Sequence, residues 1–151
     1  MKKIVLNIAS LLFSIIVSGQ KLDQVSLPIN TTILIVEHNE QGSTGFVTNR
    51  PFEKSLNDLI EFNHCKPFPL MDGGPVDRYH IYVLHKRPDL IGGGKQVSNG
   101  LYLGGNMDQV IEAININAIN RTEIQLFIGY CGWDPEELEA EVKEGSWIVS
   151  N

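Results

Sequence analysis

A chain of 151 residues with 12 basic and 18 acidic side chains, net charge −6, is long enough for one packed domain and too acidic to favour a nucleic-acid partner. The acids gather in "DPEELEAEVKE", and no basic stripe with interleaved aromatics offers a phosphate-binding face. Two cysteines, Cys65 and Cys131, are too few for a disulfide framework, and their spacing matches no zinc motif.

Residues 1–20, "MKKIVLNIASLLFSIIVSGQ", combine Lys2 and Lys3, an apolar run from Ile4 to Val17, and the small residues Ser18 and Gly19. This is the layout of a secretory signal, and it predicts an exported, periplasmic protein cleaved after Gly19 or Gln20. The alternative is an N-terminal extension holding the first strand of the domain. Asn7, Ser10 and Ser14 dilute the run, so no stable membrane span is expected.

From residue 31 onward, β-branched Thr31 to Val36 and then "GFVTN" read as two strands. A polar loop, Glu37 to Gly42, joins them as a hairpin. "SLNDLIEFN" reads as a short helix with Ser55 as N-cap and Asp58 three residues on. "FPLM" and "YHIYVLH" are strands, separated by the turn "DGGP". "KQVSNGLYL" is a hairpin, since Asn99-Gly100 suits a type I′ turn. "GGNMDQVIEAI" opens a helix at Asn106, with Gln109 placed for a capping box. "EIQLFIGY" is an apolar strand. A last helix has Asp134 as N-cap, Pro135 at its first position and Gly145 closing it, before "SWIV" exits extended. The pattern predicts an α/β (α+β) fold over residues 21–151: a single compact domain, its mixed sheet and hairpins packed by about three helices.

Candidate chemistry is sparse. Glu37, His38 and Glu40 lie together, but a metal needs further ligands converging on one point. His80 and His85 are five apart on a strand, so they face opposite sides and at most one could join His38. His64 lies at the end of the expected short helix, where an imidazolium suits the dipole. No metal and no cofactor is expected. Cys131 in "GYCGW" is the best nucleophile candidate, because a strand-to-helix setting lowers a thiol pKa. Trp133, however, stands where the second glycine of a nucleophile elbow belongs. It also suits a hydrophobic staple with Leu138. "IGGGKQ" lacks the hydroxyl residue of a P-loop. "YLGGNMDQ" could turn backbone N–H groups toward an anion, but tight-turn packing explains it more simply.

Several segments together resemble one family. "EHNEQGSTGFVTNRP" is similar to its hallmark, and "LNDLI", "GGPV", "NGLYLGG", "LFIGYCGW" and "LEAEVKEGSW" follow in the order and spacing of the AlgH/YqgE-like bacterial proteins. The resemblance runs from about Thr31 to Val149. It implies a cytoplasmic protein of compact α/β fold with no established catalytic residue, in a family linked by one member's name to regulation of alginate synthesis. It also implies that "EHNEQG" is a loop between core strands. His38 and Asn39 would then shape a surface site with Asn49, Arg50, Gly73, Gly74 and Pro75. Cys131 stands where the family usually carries Ser or Ala, which argues against a thiol mechanism. The family's usual opening segment is scarcely kept in "VSLPINTT", and most members continue past residue 151 with another apolar segment. Counting back from Glu37 puts "SIIVSG" at the family's first strand, so signal cleavage would delete a core strand.

The expected function is therefore a non-enzymatic binding or regulatory domain acting on a small molecule or protein partner. A hydrolase or thiol-dependent enzyme using Cys131 is the alternative, and a DNA-binding regulator is the reading its charge supports least.

Overall fold

The computed structural model describes residues 15–19 and 31–150. Strands β1 (Ile15–Gly19), β2 (Thr32–Asn39), β3 (Gly42–Val47), β4 (Pro51–Ser55), β5 (Pro69–Asp72) and β6 (Val76–His85) come first. They are followed by β7 (Lys95–Ser98), β8 (Leu101–Leu103), helix α1 (Met107–Asn115), β9 (Ile124–Trp133), helix α2 (Glu137–Lys143) and β10 (Trp147–Ser150). The sheet runs β10-β1-β2-β3-β9-β6-β8-β7, with β5 parallel to β9 and β4 beside β5. Because antiparallel and parallel pairs coexist, the sheet is mixed, and strand content outweighs helix. No helix among the described residues is long and apolar enough to cross a membrane.

β2 and β3 form the expected hairpin, but the strands run further than the loop reading allowed. Glu37, His38 and Asn39 pair with Thr44, Ser43 and Gly42, which leaves only Glu40 and Gln41 as the turn. Asn39 Oδ1 accepts the Gln41 N–H at 2.8 Å, a local Asx turn that closes the hairpin. A bulge between Ile35 and Glu37 changes which side chains face inward from there on.

The sheet curls until β7 approaches β2, where Lys95 Nζ lies 3.1 Å from Glu37 Oε1. Its concave interior holds Val36, Phe46, Leu84, Val97 and Phe127, with the Phe46 and Phe127 rings stacked at 4.8 Å. Each fully buried phenylalanine contributes about 2 kcal/mol. On one outer face α1 packs over β5, β6 and β9 through Leu70, Val83, Val110, Ile114 and Leu126. On the other, α2 and β10 cover β2 and β3 through Ile33, Ile35, Leu138 and Trp147.

Helix content is lower than the sequence pattern suggests. Two α-helices form among the described residues, and "SLNDLIEFN" becomes two 3-10 turns, Leu56–Asp58 and Ile60–Phe62. Leu59 interrupts them with extended backbone (φ −83°, ψ 133°), letting Leu56, Leu59 and Phe62 all reach the core. Asp58 Oδ2 still accepts the Ser55 N–H at 2.8 Å, as the capping pattern required.

Asn106 caps α1 by accepting the Gln109 N–H at 3.1 Å. The Gln109 side chain does not complete a capping box. Its Oε1 instead accepts the Gly92 N–H at 2.8 Å, tying the "IGGGK" loop to the helix. α2 starts at Glu137 rather than Pro135, because Glu136 takes a left-handed conformation (φ 65°). Glu137 then reaches back to accept the Asp134 N–H at 2.9 Å. Gly145 (φ 83°) ends the helix, as expected.

At Asn99-Gly100 only Gly100 is left-handed (φ 72°), so the β7–β8 turn is not type I′. β1 occupies Ile15–Gly19 between β2 and β10, so this part of the signal-like stretch is paired within the sheet. The rest of residues 1–20 lies outside the described residues.

Candidate functional site

The two glycine-containing motifs meet at one mouth of the curled sheet. β2 ends there with Glu37 and Asn39, β3 begins there with Gly42 to Thr44, and β9 leaves through Tyr130, Gly132, Trp133 and Asp134. Val76 and Glu137 complete a cleft of about 490 Å³. Its lining carries three carboxylates (Glu37, Asp134 and Glu137), several hydroxyl and amide groups, and no basic side chain. Lys95 reaches the outer oxygen of Glu37 from β7. The cleft is thus built to accept hydrogen bonds and to attract positive charge.

Gly129 explains how β9 serves both cleft and core. At φ 68° it shifts the strand's alternation, so Phe127 and Tyr130 both face the interior aromatic cluster while Cys131 and Trp133 face the α2 side. Tyr130 meets Tyr82 edge-on at 5.4 Å. Tyr82 donates its hydroxyl hydrogen to Asp77 Oδ2 at 2.6 Å. Burial and that carboxylate push the Tyr82 hydroxyl well above its ordinary pKa. The same hydrogen bond, helped by His80, holds Asp77 below the usual carboxylate range. Asp77 adopts φ 49°, a left-handed backbone that its two side-chain partners stabilise.

The residues grouped by sequence are distributed over four places. Asn39 alone lines the mouth cleft. His38 points to the other face of β2, with Nδ1 2.7 Å from Ser43 Oγ and Nε2 3.3 Å from Glu139 Oε1. Asn49 sits at the opposite end of the hairpin, where its Oδ1 accepts the Thr32 N–H. Arg50, Gly73 and Gly74 gather around Asp72. The Asp72 carboxylate lies 3.3 Å from Arg50 Nε and 2.6 Å from Arg78 Nη1, and Arg78 also donates to the Gly74 carbonyl at 2.9 Å. The Arg50 Nε–H is off-line for a true hydrogen bond, so that contact is a charge pairing. Pro75 is exposed on the turn that follows.

Gly73 and Gly74 are needed for close approach. A Cβ at Gly73 would overlap the Gly129 carbonyl, and one at Gly74 (φ 153°) would overlap the Tyr130 carbonyl. "DGGP" is therefore the turn that locks β5 and β6 against β9.

Cys131 lies within β9, six residues before α2 begins, not at a strand-to-helix junction. It is buried, and its thiol donates to the Gly73 carbonyl at 3.6 Å. Cys65 is also buried and free, its thiol pushed up by burial. His80 is exposed and His85 fully buried, on opposite sides as the strand period required. No group of three or more metal-ligating side chains converges among the described residues.

Sequence reasoning missed Glu141. Its Oε2 accepts the indole N–H of both Trp133 (2.9 Å) and Trp147 (2.5 Å), whose rings meet at 80°. The only available signal was its position inside "LEAEVKEGSW", six residues before Trp147.

Comparison with known proteins places these features in a family. Residues 20–151 match the family model described as AlgH-like. A UPF0301 protein of Chlorobaculum tepidum is 41% identical over 121 residues, covering 80% of this chain and 65% of that protein. One of Bacteroides fragilis is 37% identical over 124 residues, covering 80% and 61%. The chain therefore spans less than two thirds of the length of these curated relatives. The solution structure of AlgH from Pseudomonas aeruginosa superposes with a TM-score of 0.61 at 28% identity, covering 79% of this chain and 66% of that one. A crystal structure of a Corynebacterium diphtheriae protein, 20% identical with a TM-score of 0.67 over 93% of this chain and 75% of that one, shares the fold. The chain belongs to the AlgH-like family.

Proposed function

We propose that this protein is a non-enzymatic binding domain with a regulatory role, and that its ligand site is the mouth cleft. One observation carries the reading. The segments "EHNEQGST" and "YCGWDPEE" are far apart in sequence, yet together they line a cleft with three carboxylates, one of them paired with Lys95, and no cationic side chain in the lining itself. A ligand presenting amine or other hydrogen-bond donors fits that lining. Cys131, the nucleophile that a hydrolase or thiol enzyme would use, faces the α2 core instead of the cleft.

Spermidine is a suitable probe. In an NMR titration, shifts are expected at Asn39 to Thr44 and Tyr130 to Glu137, weakened by salt and by Glu37→Gln or Glu137→Gln. Shifts elsewhere, or indifference to both substitutions, would refute the site. Turnover of an ester or thioester that Cys131→Ser abolishes would refute the non-enzymatic reading.

A further inference from the structure

A second concavity, of about 810 Å³, runs along β6 on the far side from α2, and it is independent of the mouth cleft. Phe52, Leu59 and Phe62 wall one side, and Leu103, Gly105 and Met107 the other. All six consecutive residues from Arg78 to Val83 line it. The β6–β9 register shifts between Val76 and Ile81, so strict alternation is broken upstream of Ile81, and the open edge is read from the ladder itself.

The ladder fixes which backbone groups that edge exposes. The Ile128 carbonyl bonds Gly73 on the β5 side, so Phe127 and Gln125 turn their backbone groups to β6. Their partners are Tyr82 and Leu84. Ile81, Val83 and His85 therefore point away from β9. The Val83 carbonyl accordingly accepts the Gly104 N–H at 2.8 Å, and β8 pairs Leu84 and His85. Upstream of Val83 no described strand continues on that side. The N–H and C=O of Ile81 thus open into the groove. Exposed Ile60 and Tyr79 (90% and 98%) stand at its rim.

We propose that this groove receives an extended segment of a partner protein, which adds as a strand to the β6 edge at Ile81. The paired donor and acceptor of Ile81 match one residue of an extended chain, and its alternate side chains would fill the apolar walls. Charge refines the partner. Lys54, Arg78 and His80 line the groove against Asp58 and Glu61. Asp58 is turned to the Ser55 N–H, Arg78 is shared with Asp72 and His80 with Asp77, so Lys54 and Glu61 are the two charges without an ion-pair partner among the described residues. The favoured segment is apolar with one acidic side chain placed to meet Lys54 and clear of Glu61.

The test uses the full chain and four synthetic peptides: acetyl-EVTVTV-amide, acetyl-KVTVTV-amide, and the first N-methylated at alternate residues on one edge or on the other. In the free protein the Ile81 amide should exchange rapidly while its ladder-bonded neighbour Tyr82 exchanges slowly. The first peptide should then protect Ile81 and shift resonances of residues 54, 60 and 78–83, more strongly than the second. N-methylation on the pairing edge should abolish binding, as should Ile81→Pro in a variant whose remaining spectrum is unchanged. Slow Ile81 exchange in the free protein would overturn the open edge. Absence of binding at millimolar peptide, binding that survives N-methylation on either edge, or shifts confined to the mouth cleft would overturn strand addition. Failure of the spermidine titration would leave this result untouched.

Discussion

His85 is fully buried on β6 and stacks on Tyr102 at 5.6 Å. Its Nδ1 accepts the Arg87 N–H at 3.2 Å, so the neutral ring carries its proton on Nε2. Nε2 faces the Gly104 backbone without a well-formed hydrogen bond. Burial holds the imidazole below its ordinary value of 6.5, and Asp89 and the neighbouring backbone groups only partly oppose that. The unfolded chain therefore binds this proton more readily than the native one. Stability from this group is complete above about pH 6.5 and declines as pH falls below it. Thermal melts from pH 8 to 5 should show the decline, and His85→Gln should flatten it. An unchanged slope in that variant would show that other groups dominate. Cys131 makes the second residue-scale case. Buried beneath Gly73, its thiol should react slowly with a disulfide reagent in the native protein and quickly after unfolding. Cys131→Ser should fold normally, since a hydroxyl can donate to the same carbonyl.

Helix α2 is held less by its start than by one carboxylate facing inward. Asp134 is exposed and offers its backbone rather than its side chain to Glu137, so Asp134→Ala should cost no more than about 0.5 kcal/mol. Glu141→Ala should cost more, about 2 kcal/mol or above, because it removes the acceptor shared by two buried indoles. Glu141→Gln should recover part of the loss. Urea unfolding of the three variants gives the ranking, and equal midpoints for Asp134→Ala and Glu141→Ala would refute the clamp. Trp133 and Leu138 belong to one buried cluster, but with Glu136 as N-cap Leu138 is the second helical residue, so the expected staple is not formed.

For the whole molecule, the decisive connection is β1. It lies between β2 and β10, pairing Ile15–Ser18 with Thr32–Ile35 and Ile16–Gly19 with Trp147–Ser150. A chain starting at Gln20 would lose both ladders and leave β10 without a strand partner among those described. It should be less stable than the chain from Met1 by more than about 2 kcal/mol, read by denaturant unfolding. Equal stability would mean that β1 contributes nothing. Mass spectrometry of the protein from its host addresses export directly. Cleavage after Gly19 or Gln20 would support the signal reading, and an intact start would oppose it.

By itself the sequence determined what local chemistry determines. The β2–β3 hairpin, the Asn106 cap, the Ser55–Asp58 pair, the Gly145 stop and the opposed His80 and His85 are each written within about five residues, and each formed. So was the family, because its motifs are short and ordered. Tertiary structure decided what depends on partners far along the chain. Glu37 meets Lys95 and Cys131 meets Gly73, each 58 residues apart, and no local pattern specifies either contact. Gln109 left its capping box because the Gly92 N–H offered a long-range partner. "SLNDLIEFN" gave up helical continuity so that Leu56, Leu59 and Phe62 could all be covered. The left-handed turn at Gly129 decided that Tyr130 faces the cleft and Cys131 the core. Local propensities amount to tenths of a kcal/mol per residue, whereas burying one large side chain contributes several times more, so packing prevails wherever the two conflict.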